Sequence, residues 1–373
     1  EPLLASRTYD FGLREPSGKA GLIAGMSMTE KQGGSDVRAN TTRAVPDGAG
    51  GYRLTGHKWF TSAPMSDLFL TLAQAPGGLS CFFVPRVLPD GSRNPIRLQR
   101  LKDKLGNRSN ASSEIEYDGA LGWLVGEEGR GVPTIIEMVN MTRLDCTLGS
   151  ASGMHIGVMQ AVHHARHRTA FGKRLVDQPA MRNVLADLAV ESEAATTAAM
   201  WLARHRPRLG LAVTKYWVCK RGPAHAAEAL ECLGGNGYIE DSGMPRLFRE
   251  SPLMSIWEGS GNVAALDVLR AMKKEPESVQ EFLGVVTGVD PRIDRALNEL
   301  GTALSDVDES QARRVVEKMA LILQGALLVK HGHPAVADAF LASRLGGDWG
   351  VAFGTLPKST DFAAIIDRAV PKL

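Results

Sequence analysis

The 373-residue chain contains no apolar run long enough to cross a bilayer. A spanning helix needs roughly 18 such residues. The longest candidate, Met319 to Val329, is broken by Gln324 and Gly325. The chain also has no surplus of one charge: 43 basic residues against 41 acidic ones leave a net +2. That balance argues against a dedicated nucleic-acid binder, whose footprint is a basic excess or tract. Cysteine is scarce. Cys81, Cys146, Cys219 and Cys232 form no CxxC pair and no metal spacing. Reduced thiols in a cytoplasmic protein, and no metal site, are the expectation. No charged-then-apolar leader is present. An initiating methionine is missing too: the chain opens at Glu1, as a trimmed or incomplete polypeptide would.

What is present is ordinary globular composition, 44% hydrophobic and 23% charged, which excludes disordered and collagen-like classes. At roughly 150 residues per domain, two or three domains fit. Residues 1–20 show little periodicity and read as an irregular lead-in. Residues 21–122 read as β. Tyr52 to Gly56 alternates, Leu68 to Ala73 and Leu79 to Val84 are short apolar runs, and Ile96 to Leu101 and Glu114 to Tyr117 alternate again. Pro46-Asp47-Gly48, Pro76-Gly77-Gly78 and Pro89-Asp90-Gly91 separate them as turns. This spacing predicts a compact β-barrel or sandwich.

From about Gly131 the period becomes helical. One long helix is expected through Ala165, a second from Pro179 to about Arg204, a third from Leu209 to Leu233, and a fourth from Gly261 past Arg270. Residues 123–270 thus read as a helical bundle, and 271–373 as a helical C-terminal extension, clearest at Gln311 to Lys330. At His205-Arg206-Pro207-Arg208 two helices nearly touch across a proline. Either a tight turn or missing residues would explain it.

Five constellations carry potential chemistry. Met28 to Val37 places Gly33-Gly34 between the hydroxyls of Thr29 and Ser35, suited to a flat or anionic ligand, or simply a turn. His57 to Ser62 sets Trp59 and Phe60 beside Thr61, offering a stacking face and a hydroxyl, or a core tryptophan. Arg168 and Phe171 could clamp a phosphate and pack on a base, or merely end a helix. Gly234, Gly235 and Gly237 exceed what one helix cap requires, which suggests close approach to a ligand or another subunit. Glu258 sits between Trp257 and Gly259, where a dry pocket would make it a general base. A first-turn acid on the helix dipole is the plainer reading.

Singly these are weak, but their order is specific. TEKQGGSDV, GHKWFTS, RLKDKLGNRSN, MTRLD, RTAFGKRL, ECLGGNGYIED and SIWEGSGN together resemble the acyl-CoA dehydrogenase family over about residues 21–270. Lys31-Gln32-Gly33-Gly34 and Leu266 to Arg270 resemble its alkylation-response subgroup. The resemblance implies an α+β fold: a middle β-barrel domain, a C-terminal four-helix bundle, and an N-terminal helical domain that this chain does not include. It implies FAD between the β domain and the bundle, and a homotetramer.

Carried over residue by residue, the resemblance puts Met28 and Thr29 at the flavin pyrimidine ring. Ser35 falls on the pyrophosphate and substrate side, and Trp59, Phe60 and Thr61 at the isoalloxazine. Arg168 and Phe171 would reach a neighbouring subunit's FAD, and Gly234, Gly235 and Gly237 its adenosine end. Ser260 and Asn262 would touch the adenylate part. Arg143 would close the acyl-thioester pocket, with Gly259 beside it. Glu231 stands where many members have glutamine, and Asn140 where many have aspartate. Glu258 would remove the α-proton, with hydride passing from the β-carbon to flavin N5. Some relatives place the base where Thr142 stands, and threonine cannot do that work. An acyl-CoA thioester is the implied substrate and electron-transfer flavoprotein a candidate acceptor. The alternative is an FAD-containing protein that binds double-stranded DNA, with Arg270 in a surface patch. Residues 271–373 carry 12 basic and 14 acidic residues, so no basic tail supports it.

Overall fold

The computed structural model describes residues 2–370, the side chain of Glu137 excepted. Its contacts divide the chain into two compact units, one ending at Val139 and one beginning at Asn140.

The first unit is a closed sheet. Its strands are β1 (Ala24–Ser27), β2 (Arg43–Pro46), β3 (Tyr52–Ser62), β4 (Leu68–Ala75), β5 (Gly78–Pro85), β6 (Ile96–Leu101) and β7 (Ser112–Val125). β3 pairs with β7, β7 with β5, β5 with β4, β4 in parallel with β1, and β1 with β3, which closes the ring. Closure removes most of the edges that would otherwise pair with other chains. Leu54, Phe82, Val84, Ile115, Tyr117 and Ala120 fill its interior. β7 runs to Val125, past the expected limit at 122, because Phe82 and Cys81 of β5 still pair with Leu124 and Val125.

One feature of β3 matters for the site. Lys58 pairs with Ile115 and Thr61 with Ser113, so β3 carries one residue more than β7 over that stretch. This is a bulge, and it shifts the alternation of faces by one. Lys58 and Thr61 therefore both point inward, fully buried. The Lys58 ammonium pairs with Glu30 at 2.9 Å and donates to Leu72 O at 2.7 Å. Burial pushes Lys58 down to about 8 despite its partner. Glu30 also accepts from Thr41 and Thr42 N–H and from Gln32.

The second unit is helical. α1 (Gly131–His167) is followed by a small hairpin, β8 (Thr169–Ala170) and β9 (Lys173–Arg174). Then come α2 (Pro179–His205), α3 (Arg208–Glu231), α4 (Gly235–Tyr238), α5 (Met244–Glu250) and α6 (Gly261–Lys274). α7 (Pro276–Val286), α8 (Pro291–Leu304), α9 (Ala312–His331), α10 (Pro334–Phe340) and α11 (Phe362–Arg368) complete it. α2, α7, α8 and α10 each have proline in the first turn, where its missing N–H costs nothing. The junction between α2 and α3 is a tight turn: Arg206 takes φ 52° and bonds Leu202 O, and Pro207 leads into α3. α3 ends at Glu231, short of the expected Leu233.

The expected C-terminal extension is not an appendage. Val315, Val316, Met319, Ile322, Leu323 and Leu327 of α9 share one apolar cluster with α2, α3 and α6. Every residue from Met319 to Leu328 is buried, as a helical stretch apolar almost all round must be. A charged lock adds to this. Arg344 donates to Asp187 and, at 3.1 Å, to Glu191, while Arg221 reaches Glu191 at 3.3 Å. Burial pushes the Glu191 carboxyl up, but Arg221 and Arg344 together hold it down at about 2.

His225 is fully buried against Leu188 O at 3.0 Å and Phe353. Burial pushes it down from 6.5 to about 4. Below pH 6.5 the unfolded chain takes up a proton that the native chain refuses until about pH 4. Stability is expected to fall by about 3 kcal/mol across that window. Denaturant midpoints should show the drop, and His225→Gln should flatten it. An unchanged pH slope in the variant would exclude this origin.

Candidate functional site

The second unit places the strongest candidate, Glu258, in a short turn just before α6 (Gly261–Lys274). Its φ is +56°, followed by Gly259 at +98°. A left-handed glutamate costs roughly 1–2 kcal/mol, so neighbouring contacts must hold it. Thr142 Oγ1 donates to Glu258 Oε2 at 2.6 Å. Arg143 Nε donates to Glu258 O at 3.2 Å. The Lys215 ammonium donates to Trp257 O at 2.8 Å and to Gly259 O.

The resemblance implies that Arg143 closes an acyl-thioester pocket; in the structure its guanidinium is engaged by the chain itself. It is 5% exposed, and its guanidinium pairs with Asp267 at 2.7 Å, which Arg208 reaches at 2.9 Å. Asp267 is held below the usual carboxylate range: burial opposes this, and Arg208 and Arg143 outweigh it. Arg143 thus braces the Glu258 turn. Thr142, set aside as a base, is instead the hydrogen-bond partner of Glu258.

Beside the turn lies a cleft of about 350 Å³, lined by Ser260, Gly261, Asn262, Lys220 and Arg313 among others. Arg313 Nε donates to Asn262 Oδ1 at 2.7 Å. The Ser260 hydroxyl makes no capping bond. A Cβ on Gly261 would lie 3.3 Å from Arg313 Nη2 and 3.4 Å from Lys220 Nζ. Two cations therefore converge on the N-terminus of α6, an arrangement suited to anionic oxygen. The indole N–H of Trp257 is buried with no partner among the described residues.

The remaining candidates are distributed as follows. Phe171 is 98% exposed at the tip of the hairpin. It has φ 52° and Gly172 has φ 75°, the pair of positive values that a two-residue hairpin turn demands. Arg168 is exposed at the base of that hairpin. Gly234 adopts φ 59°, ψ −140°, open only to glycine. A Cβ on Gly237 would strike Leu230 O at 2.1 Å, so that glycine is required by the chain's own packing. Gly235 faces open space. Glu231 and Arg270 are exposed.

In the first unit, Ser35 is exposed and Met28 and Thr29 are half-buried. A Cβ on Gly34 would lie 2.5 Å from Thr29 Oγ1, so the glycine makes room for that hydroxyl. Trp59 is half-buried and Phe60 48% exposed. Lys102 Nζ lies 3.3 Å over the Trp59 ring and 4.7 Å from Phe60. Thr61 does not share their face: its hydroxyl bonds Ser27 Oγ at 2.5 Å inside the barrel. The bulge in β3 is the reason.

Sequence reasoning missed Lys215, Lys220 and Arg313. For Lys215 a signal existed, a lysine within the otherwise apolar stretch Leu209 to Cys219. For Arg313 there was none, since it comes from a distant helix. Among the described residues no group of His, Cys, Asp or Glu could hold a metal, and no helix is long and apolar enough to cross a membrane.

Two family models match the chain. Residues 25–120 match the middle domain of acyl-CoA dehydrogenase, and residues 129–273 match its C-terminal domain. AidB of Escherichia coli is 48% identical over 364 residues, covering 94% of this chain and 67% of that protein. Acyl-CoA dehydrogenase family member 11 of Caenorhabditis elegans is 32% identical over 368 residues, covering 85% and 59%. The structure of C. elegans ACDH-11 in complex with C11-CoA superposes with a TM-score of 0.76 at 30% identity, covering 87% of this chain and 64% of that one.

Proposed function

Because the chain belongs to the acyl-CoA dehydrogenase family, we propose that it oxidises an acyl-CoA thioester, with Glu258 as the base and FAD as the cofactor. The observation that carries this reading is the Glu258 turn itself. A carboxylate is held at 2.6 Å by Thr142 in a left-handed conformation, directly before a helix N-terminus flanked by two cations. The chain spans about two thirds or less of the relatives it matches, so activity, substrate and assembly belong to this proposal.

The residues present fit FAD. Lys220, Arg313 and the free Ser260 hydroxyl offer donors to a doubly charged pyrophosphate. Asn262 stands with them, Gly235 is open to close approach, and Phe171 presents a flat face that this chain leaves bare. Met28, Thr29, Ser35, Trp59 and Phe60 are the barrel residues accessible to a flat ring system. Bound FAD would supply the two-electron acceptor for the bond between Cα and Cβ. Glu258 takes the α-proton. Its own N–H has no hydrogen-bond partner among the described residues and is available to the thioester oxygen as charge builds there. Arg143 and Asp267 keep the turn in place. The bare Phe171 supports assembly with further copies, a homotetramer in the family pattern. An electron-transferring flavoprotein is the proposed onward acceptor.

Purified protein should be yellow, and a series of acyl-CoA thioesters should bleach it anaerobically. Absence of bleaching by every chain length, with a salt-sensitive shift of duplex DNA, would favour the DNA-binding alternative. Arg313→Gln should weaken FAD binding about 10- to 100-fold, the effect of one charge-assisted hydrogen bond. Flavin-to-protein ratio after gel filtration measures it, and an unchanged ratio would remove Arg313 from the cofactor site.

A further inference from the structure

We infer that Lys215 is a positioning residue that orients the backbone donors of the Glu258 turn toward the substrate oxygen. This role rests on the dehydrogenase reading above. Lys215 lies on α3, 1% exposed, and makes no ion pair among the described residues. An ammonium without a carboxylate partner is costly to bury and needs polar compensation. Here the compensation is two backbone carbonyls, Trp257 O at 2.8 Å and Gly259 O. The carbonyl between them, Glu258 O, accepts from Arg143 at 3.2 Å. Three successive carbonyls are thus turned onto two buried cations.

The consequence follows from the planar trans peptide, in which C=O and N–H point in opposite directions. With the Trp257 carbonyl fixed on Lys215, the Glu258 N–H must point away from it. The same holds for the Gly259 and Ser260 amides. None of these three N–H groups has a hydrogen-bond partner among the described residues. They are unpaired donors on Glu258 and the two residues after it, the kind of group that stabilises a developing oxyanion. Among the described residues the Lys215 ammonium is the hydrogen-bond partner that fixes the peptide between Trp257 and Glu258, so without it that peptide can rotate and the left-handed Glu258 loses one of its restraints.

Lys215→Met keeps the length and apolar stem but removes all three donors. In the FAD-bound protein, the limiting rate of flavin bleaching by acyl-CoA should fall about 10- to 100-fold, the scale of losing an oxyanion donor. Half-saturation should stay within about three-fold, since remote binding contacts are untouched. Lys215→Ala should show the same loss and recover rate when n-propylammonium is added, because the ammonium can re-enter the vacated space. Methionine fills that space, so Lys215→Met should not recover. A bleaching rate near wild type in either folded, yellow variant would overturn the role. So would a loss confined to half-saturation, or one that amine leaves unmoved in Lys215→Ala. If Lys215→Met does not fold, amine rescue of Lys215→Ala decides the matter alone. A wild-type flavin that no acyl-CoA bleaches would overturn the dehydrogenase reading itself, a result distinct from unaffected variants of an active enzyme.

Discussion

Glu258→Gln should leave FAD and acyl-CoA bound while abolishing flavin bleaching. The amide keeps the size of the side chain and an oxygen acceptor for Thr142 Oγ1, which now bonds Glu258 Oε2 at 2.6 Å. The brace from Arg143 and Lys215 acts on backbone carbonyls, so it does not depend on the substituted group. What disappears is the capacity to take a proton. General bases contribute about 10²- to 10⁴-fold, and a loss of at least that size is expected. Among the described residues no other carboxylate hydrogen-bonds within the turn. Thr142, at the alternative base position of some relatives, has no accessible proton affinity near neutral pH. Rapid mixing with acyl-CoA under anaerobic conditions measures the rate, and normal bleaching would remove Glu258 from the role.

Arg344→Met should destabilise the helical unit by about 3–5 kcal/mol, the cost of stripping the partner from a buried ion pair. Arg344 is fully buried, and Asp187 and Glu191 are nearly so. Asp187 also accepts from the N–H groups of Gly354 at 2.9 Å and Thr355 at 3.3 Å, so the same carboxylate holds the segment after the last bundle helices. Removing the guanidinium leaves Asp187 charged without a cation, and leaves Glu191 with Arg221 alone. Equilibrium denaturation at pH 7 tests this. Adding Asp187→Asn should recover part of the loss, since an amide oxygen can still serve Gly354 and Thr355 without a buried charge. A loss below about 1 kcal/mol for Arg344→Met would mean that the network is neutral for stability. The sign with pH is also determined. The Glu191 carboxyl sits at about 2 in the folded chain, so its contribution is complete above about pH 4.5 and fades as pH falls toward 2.

Much of the architecture was legible in the chain itself. Turn signals and alternation located β3 to β7, and Pro179 in the first turn marked the start of α2 to the residue. Those are local rules, fixed by backbone chemistry within a few positions. The glycine-flanked Glu258 and the order of the motifs were equally open to reading. The division between a helical bundle and a C-terminal extension was not, because α9 is buried by helices that periodicity cannot pair with it.

The sequence by itself determined the change from a β region to helices, the family, the catalytic candidate and the glycines that backbone geometry demands. Only the tertiary structure decided which way key side chains face. The β3 bulge turned Thr61 inward and separated it from Trp59, since one extra residue reverses alternation. Burial and Asp267 turned Arg143 onto the backbone of the Glu258 turn. Lys215 and Arg313 reach Gly259 and Asn262 from helices far away in the chain. Their chemistry is written in the sequence, but their partners are chosen by packing, which acts between residues no local pattern connects.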